Sequence, residues 1–107
     1  MFRSDKQRRA MFAKMRQSIE SNPYFAEGHV FLAKAYLDRG SNFDEAIVLA
    51  QKGLALAPQS EYAPLGHYVL ADIYNRQGRS REAAQEASRG QALEARGKRT
   101  STRPGGE

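Results

Sequence analysis

Two histidines, His29 and His67, are the only side chains in this 107-residue chain that titrate near neutrality, and there is no cysteine. Histidine is the usual residue for acid–base catalysis, metal ligation and pH sensing, so any such chemistry would start at these two positions. Little stands beside them to support it. There is no His-Glu-x-x-His pair, no G-x4-G-K-[ST] phosphate loop and no G-x-G-x-x-G turn. The missing cysteine excludes thiol catalysis, disulfides and Cys-ligated zinc. The carboxylates are scattered over polar positions rather than paired for general acid–base work. The sequence therefore offers no catalytic residue, no metal ligand set and no cofactor site, and the expectation is a protein that is not an enzyme.

What the two histidines share is their setting. His29-x-x-Leu32-Ala33-x-x-Tyr36-x-x-x-Gly40 returns as His67-x-x-Leu70-Ala71-x-x-Tyr74-x-x-x-Gly78, each matched pair 38 residues apart. Repetition at about 20–50 residues marks stacked supersecondary units. The same residue type in the same register of two copies points to one packing role for both histidines.

The elements that carry the repeat read as helices. From about Ser4 to Ser21, Met11, Met15 and Ile19 recur every four residues with Phe12 beside them, the stripe of an amphipathic helix. That stripe reads as core packed on the next helix rather than as a methionine-rich binding surface or a lipid-facing edge. Asn22-Pro23 ends it, because the residue before proline avoids the α region. A second helix, about Tyr24 to Arg39, stops at Gly40. A third starts near Asn42 or Phe43, places Asp44 and Glu45 at its positive end, turns Phe43, Ala46, Ile47, Ala50, Gly53 and Leu54 inward, and closes at Pro58. A fourth, with a cap expected at Ser60-Glu61 and Pro64 in its first turn, runs to Gln77 and stops at Gly78. A fifth, about Arg81 to Ala95 with Ser80 as N-cap, turns the small residues Ala83, Ala87 and Gly90 inward, with Leu93 further on. No strand pattern interrupts them. Residues 97–107 lack an apolar anchor and read as a disordered basic tail.

Charge is unevenly spread. Residues 1–23 carry six Lys/Arg against two acids, residues 89–107 five against two, and residues 24–88 six against eight. A nearly neutral body with basic ends argues against a nucleic-acid-binding core. It leaves open that the ends grip nucleic acid or another acidic surface through charge alone. No apolar run approaches the roughly 18 residues that span a bilayer. The start lacks the apolar stretch of a secretory signal, so the cytoplasm is the expected compartment and no membrane span is expected.

The repeated pattern resembles the tetratricopeptide repeat, a 34-residue helix–turn–helix unit with the signature W-x2-L-G-x2-Y followed by small residues and a closing proline. In the first unit the likeness rests on His29 at the Trp place, Leu32, Ala33, Tyr36, Gly40, Ala46, Gly53 and Pro58. In the second it rests on His67, Leu70, Ala71, Tyr74, Gly78, Ala83 and Gly90. Residues 5–23 resemble the second helix of a preceding unit, with Met11 and Ser18 at its small-residue places. One extra residue in the Ser41-Asn42 turn and about three near Glu61-Tyr62-Ala63, lengthening the start of the fourth helix, account for the longer period. The chain departs from the family in having histidine where each unit should open on tryptophan.

The resemblance implies an all-α fold: a right-handed superhelix of about five antiparallel helices, one half repeat (4–21) plus two full repeats (24–58 and 60–95), filling residues 1–96. Ala33, Ala46, Ala71 and Ala83 would let paired helices approach, with Tyr36 and Tyr74 alongside. It also implies a non-catalytic interaction module that binds a peptide or helix of a partner protein in a concave groove. The lining residues would be Glu27, Val30, Phe31, Lys34, Leu37 and Asp38 from one unit, and Leu65, Tyr68, Val69, Asp72, Asn75 and Arg76 from the other. The unpaired helices at either end of so short an array leave a homodimer open.

Overall fold

The computed structural model describes residues 5–101, with side chains for 6, 7 and 9–97. Among these residues there are five α-helices and no strand: α1 (Asp5–Ser21), α2 (Ala26–Arg39), α3 (Phe43–Leu56), α4 (Ala63–Arg76) and α5 (Ser80–Ser101). Each helix packs on the next in sequence, and α2 also packs on α4. Helix α1 packs on α2, and its Arg16 reaches Glu45 of α3 in an ion pair.

The sequence repeat is a repeat of backbone geometry. Gly40 and Gly78 adopt left-handed φ values of 79° and 78°, which glycine reaches without a Cβ penalty. Behind each glycine the same two hydrogen bonds close the helix. The Gly40 N–H donates to the Leu37 carbonyl at 3.0 Å and the Ser41 N–H to the Tyr36 carbonyl at 3.3 Å. The Gly78 N–H donates to Asn75 at 3.1 Å and the Arg79 N–H to Tyr74 at 2.8 Å. This is the Schellman closure, formed twice. The extra turn residue of the first unit is also visible. Asn42 takes a left-handed φ of 56°, a conformation asparagine tolerates better than most residues.

The seams between helices are built of alanine. Ala33, Ala46 and Ala50 are wholly buried, and Ala71 and Ala83 nearly so. Tyr36 and Tyr74 are buried beside them, in one core with Leu32, Leu37, Val69, Leu70 and Ile73. From α1, Phe12, Met15 and Ile19 pack against this core, while Met11 stays largely exposed. Phe12 stacks on Tyr36 with ring centroids 5.0 Å apart.

Three boundaries differ from those read in the sequence. Helix α2 begins at Ala26, after a Pro23-Tyr24 turn in which the Phe25 N–H donates to the Asn22 carbonyl. The extra residues before α4 form a turn instead of lengthening the helix. The Ser60 hydroxyl accepts the Tyr62 N–H and the Ser60 carbonyl accepts the Ala63 N–H, so the helix waits until Ala63 and Pro64 sits in its first turn. Finally, α5 does not stop near Ala95 but runs on to Ser101. Ala92, Leu93, Glu94, Ala95 and Arg96 are all strong helix formers, and the single Gly97 costs only about 1 kcal/mol. Of the residues read as a disordered tail, 97–101 are thus helical, and 102–107 lie outside the described residues together with 1–4.

Candidate interaction face

The two histidines occupy equivalent positions but meet different surroundings. His29 is buried. Its Nδ1 lies 2.9 Å from the Phe25 carbonyl, and its Nε2 has no partner. His67 is only half-buried, and its Nδ1 lies 2.7 Å from Glu86 Oε1. The other Glu86 oxygen accepts a bond from Arg89 at 2.8 Å. His67 and Glu86 thus tie α4 to α5, with Arg89 bonded to Glu86 within α5. The single packing role read for both histidines gives way to a core role for His29 and a polar clamp at His67. Among the described residues no group of three His, Cys, Asp or Glu could hold a metal ion.

A buried imidazole nitrogen without a partner costs about 1–3 kcal/mol. The Phe25 carbonyl also accepts the Gly28 and His29 N–H groups, so removing the imidazole would not orphan it. His29→Leu should therefore raise the unfolding free energy by about 1 kcal/mol. Urea denaturation would read this, and a loss of stability would refute the account of Nε2.

The proposed groove residues divide by their angle around each helix. On α2, Glu27, Phe31, Lys34 and Asp38 follow i, i+4, i+7, i+11 and form one outward stripe. Phe31 and Asp38 are exposed, and Glu27 and Lys34 half-exposed. On α4, Leu65, Tyr68, Asp72 and Arg76 form a second stripe with Asn75 at its edge. Leu65 and Tyr68 are half-buried and the others exposed. Val30, Leu37 and Val69 do not belong to either stripe. They are 2%, 5% and 2% exposed. Each sits one residue, about 100° of helix rotation, from a stripe, and that turn carries them into the core. Val30 covers Gly53, where an added Cβ would come within 2.8 Å of it.

Charge on the stripes is largely paired within helices. Lys34 bonds Asp38 at 2.9 Å and Arg76 bonds Asp72 at 3.3 Å, each four residues apart. Between the stripes lies a residue the sequence reading missed. Tyr62, in the turn before α4, sets its ring edge-on to Phe31 with centroids 5.1 Å apart. Glu27 chiefly, and then Glu61, hold the Tyr62 phenol above its ordinary pKa, because a nearby carboxylate opposes a second negative charge. Only the lengthened turn hinted at Tyr62 in the sequence.

Beyond Tyr62, α4, α5 and the α3–α4 turn enclose a cleft of about 740 Å³. Pro64, Leu65, Tyr68 and Leu93 supply its apolar walls, with Glu61, Glu94 and Arg96 around the rim. The Tyr68 ring lies on α5 at Gly90, where a Cβ would stand 2.7 Å from Cε1. Its hydroxyl donates to Glu94 at 2.7 Å, a bond that raises the phenol pKa by favouring the neutral form. Arg96 donates to Gln59 across the cleft mouth at 3.1 Å.

No protein-family model matches this chain, and no curated protein matches it in sequence. Among the described residues no helix is long and apolar enough to cross a membrane.

Proposed function

We propose that this chain is a tetratricopeptide-type interaction module without catalysis, acting in the cytoplasm, that binds a segment of a partner protein along the face built by α2 and α4. The observation that carries the reading is the pair of outward stripes. Phe31, Tyr62, Leu65 and Tyr68 place partly exposed aromatic and aliphatic groups in a row across two packed helices, and ion-paired charges flank them. Apolar anchors with a polar surround suit recognition of a peptide or helix. The paired Schellman closures and alanine seams support the repeat reading, in which successive helical hairpins stack as a right-handed superhelix.

The test is affinity capture by wild type and by a Phe31→Ala, Arg76→Glu double variant, with circular dichroism establishing that both are folded. The variant should lose the captured partner. Equal recovery by both proteins would remove the face from consideration.

A second reading has one observation in its favour. Helix α1 exposes Lys6, Arg9 and Lys14, so it could grip nucleic acid or another polyanion. Binding of that kind falls steeply with salt, by close to one power of salt concentration per phosphate contacted, and would survive the double substitution.

A further inference from the structure

The first repeat shows what belongs on the exposed end of the second. Val30 of α2 lies over Gly53 of α3, where an added Cβ would meet Val30 Cγ2 at 2.8 Å. On the outer side of Val30 sits α4. At Gly66 of α4 an added Cβ would reach Leu54 Cδ2 at 3.0 Å and Val30 Cγ2 at 3.4 Å. A helix with a glycine at the seam thus fills the groove between α2 and α3, leaving Val30 2% exposed.

The second unit repeats the floor of this arrangement. Tyr68 stands 38 residues after Val30, and Gly90 stands 37 after Gly53. The Tyr68 ring lies over Gly90, where an added Cβ would stand 2.7 Å from Cε1, as Val30 lies over Gly53. No further helix follows among the described residues, and Tyr68 remains half-exposed in the cleft that Leu65, Pro64 and Leu93 wall. The rim adds a sign. Among the described side chains, Glu61 and Glu94 border the cleft and Arg96 is its one lining cation, while Glu27 lies close behind Tyr62. An acidic rim around an apolar floor favours a cationic occupant.

We propose that this α4–α5 cleft binds an amphipathic helix of a partner protein, with a small residue seated over Tyr68 and basic residues facing Glu61 and Glu94. The helix occupies on the second unit the place α4 occupies on the first. The proposal rests on the docking reading above, because the cleft shares Leu65 and Tyr68 with that face. It narrows the reading to one end of the face and one class of ligand.

The probe is a fluorescein-labelled peptide of residues 61–78, the segment that covers Val30, carrying Glu61→Lys and Asp72→Lys. Two comparison peptides carry Glu at both positions, or the lysines plus a central proline. Fluorescence anisotropy against the full chain should show the basic peptide binding at least about tenfold tighter than either comparison. The complex should gain helical dichroism beyond the sum of its parts. Leu65→Glu should weaken the basic peptide about tenfold or more, whereas Val48→Glu, on the outer side of α3, should leave it unchanged. If Leu65→Glu disturbs the fold, the Glu61→Lys, Glu94→Lys double variant decides, because both positions are exposed. It should reverse the preference between basic and acidic peptides.

Equal binding of the acidic or proline-containing peptide, still sensitive to Leu65, would overturn the basic helix and leave the docking face standing. Binding indifferent to Leu65 and to charge reversal would overturn the cleft as the seat, as would no binding by any peptide. Concentration-dependent dimerisation of wild type, lost in Leu65→Glu, would make a second copy of the chain the occupant and overturn the proposal. The Phe31→Ala, Arg76→Glu capture decides the broader face independently.

Discussion

Tyr36→Ala should cost about 3–5 kcal/mol of unfolding free energy, the range for removing a large buried ring. That is a large share of the roughly 5–15 kcal/mol that holds a small domain together. The Tyr36 ring does two jobs. It fills the space beside the Ala33 and Ala46 seam, and it stacks on Phe12. Helix α1 lays its apolar side on α2, so truncating Tyr36 removes much of what α1 packs against. The hydroxyl matters less. It accepts a bond from Arg16, which also pairs with Glu45 at 3.0 Å, and both charged groups are well exposed. Tyr36→Phe should therefore cost only about 0.5–1.5 kcal/mol. Urea denaturation of the two variants gives the comparison, and similar losses for both would mean that the ring is not the structural element described.

Gly53→Val should be nearly as damaging, by about 1–3 kcal/mol or more. A Cβ there would stand 2.8 Å from Val30, 3.0 Å from the Ala26 carbonyl oxygen and 3.3 Å from His29 Cβ. The carbonyl belongs to the first turn of α2, so relief requires the helices to part. Gly90→Ala offers the matched control. The nearest atoms to its added Cβ all belong to the Tyr68 ring, which can swing outward. The roughly 1 kcal/mol gained by replacing a helical glycine with alanine then offsets much of the clash. Thermal or urea unfolding of both variants measures the contrast. A neutral Gly53→Val would mean that α2 and α3 are not in backbone contact at this point.

Much of the architecture was legible because it is written locally. Gly40 and Gly78 mark helix ends through a dihedral preference each residue carries by itself. Alanines spaced for close approach mark the seams, and all four expected ones are buried. Angles and long-range pairs were less legible. The groove residues carried over from the family resemblance included Val30, Leu37 and Val69, each one residue from an exposed neighbour. One residue is about 100° of rotation, enough to separate surface from core. The partner of His67 lies 19 residues away on another helix, and no periodicity within α4 points to it. The start of α4 was misplaced because a serine that could cap a helix instead closed a turn before it. The end of α5 was misplaced because the residues from Gly97 on lack an apolar anchor, although the backbone stays helical to Ser101.

The ion pairs on the outward stripes bear on how a ligand would be selected. Lys34 with Asp38 and Asp72 with Arg76 are neighbours on single helices, with side chains roughly half open to water. Such pairs contribute only a few tenths of a kcal/mol, and Lys34 preceding Asp38 is the less favourable order. An arriving molecule can pull either pair apart at a cost comparable to thermal agitation and take whichever pole it needs. Under the proposed docking, electrostatics at these two pairs would therefore be permissive, and discrimination there would fall to how well a side chain fits against Phe31 and Tyr62, in contrast to the acid-rimmed cleft at Leu65 and Tyr68.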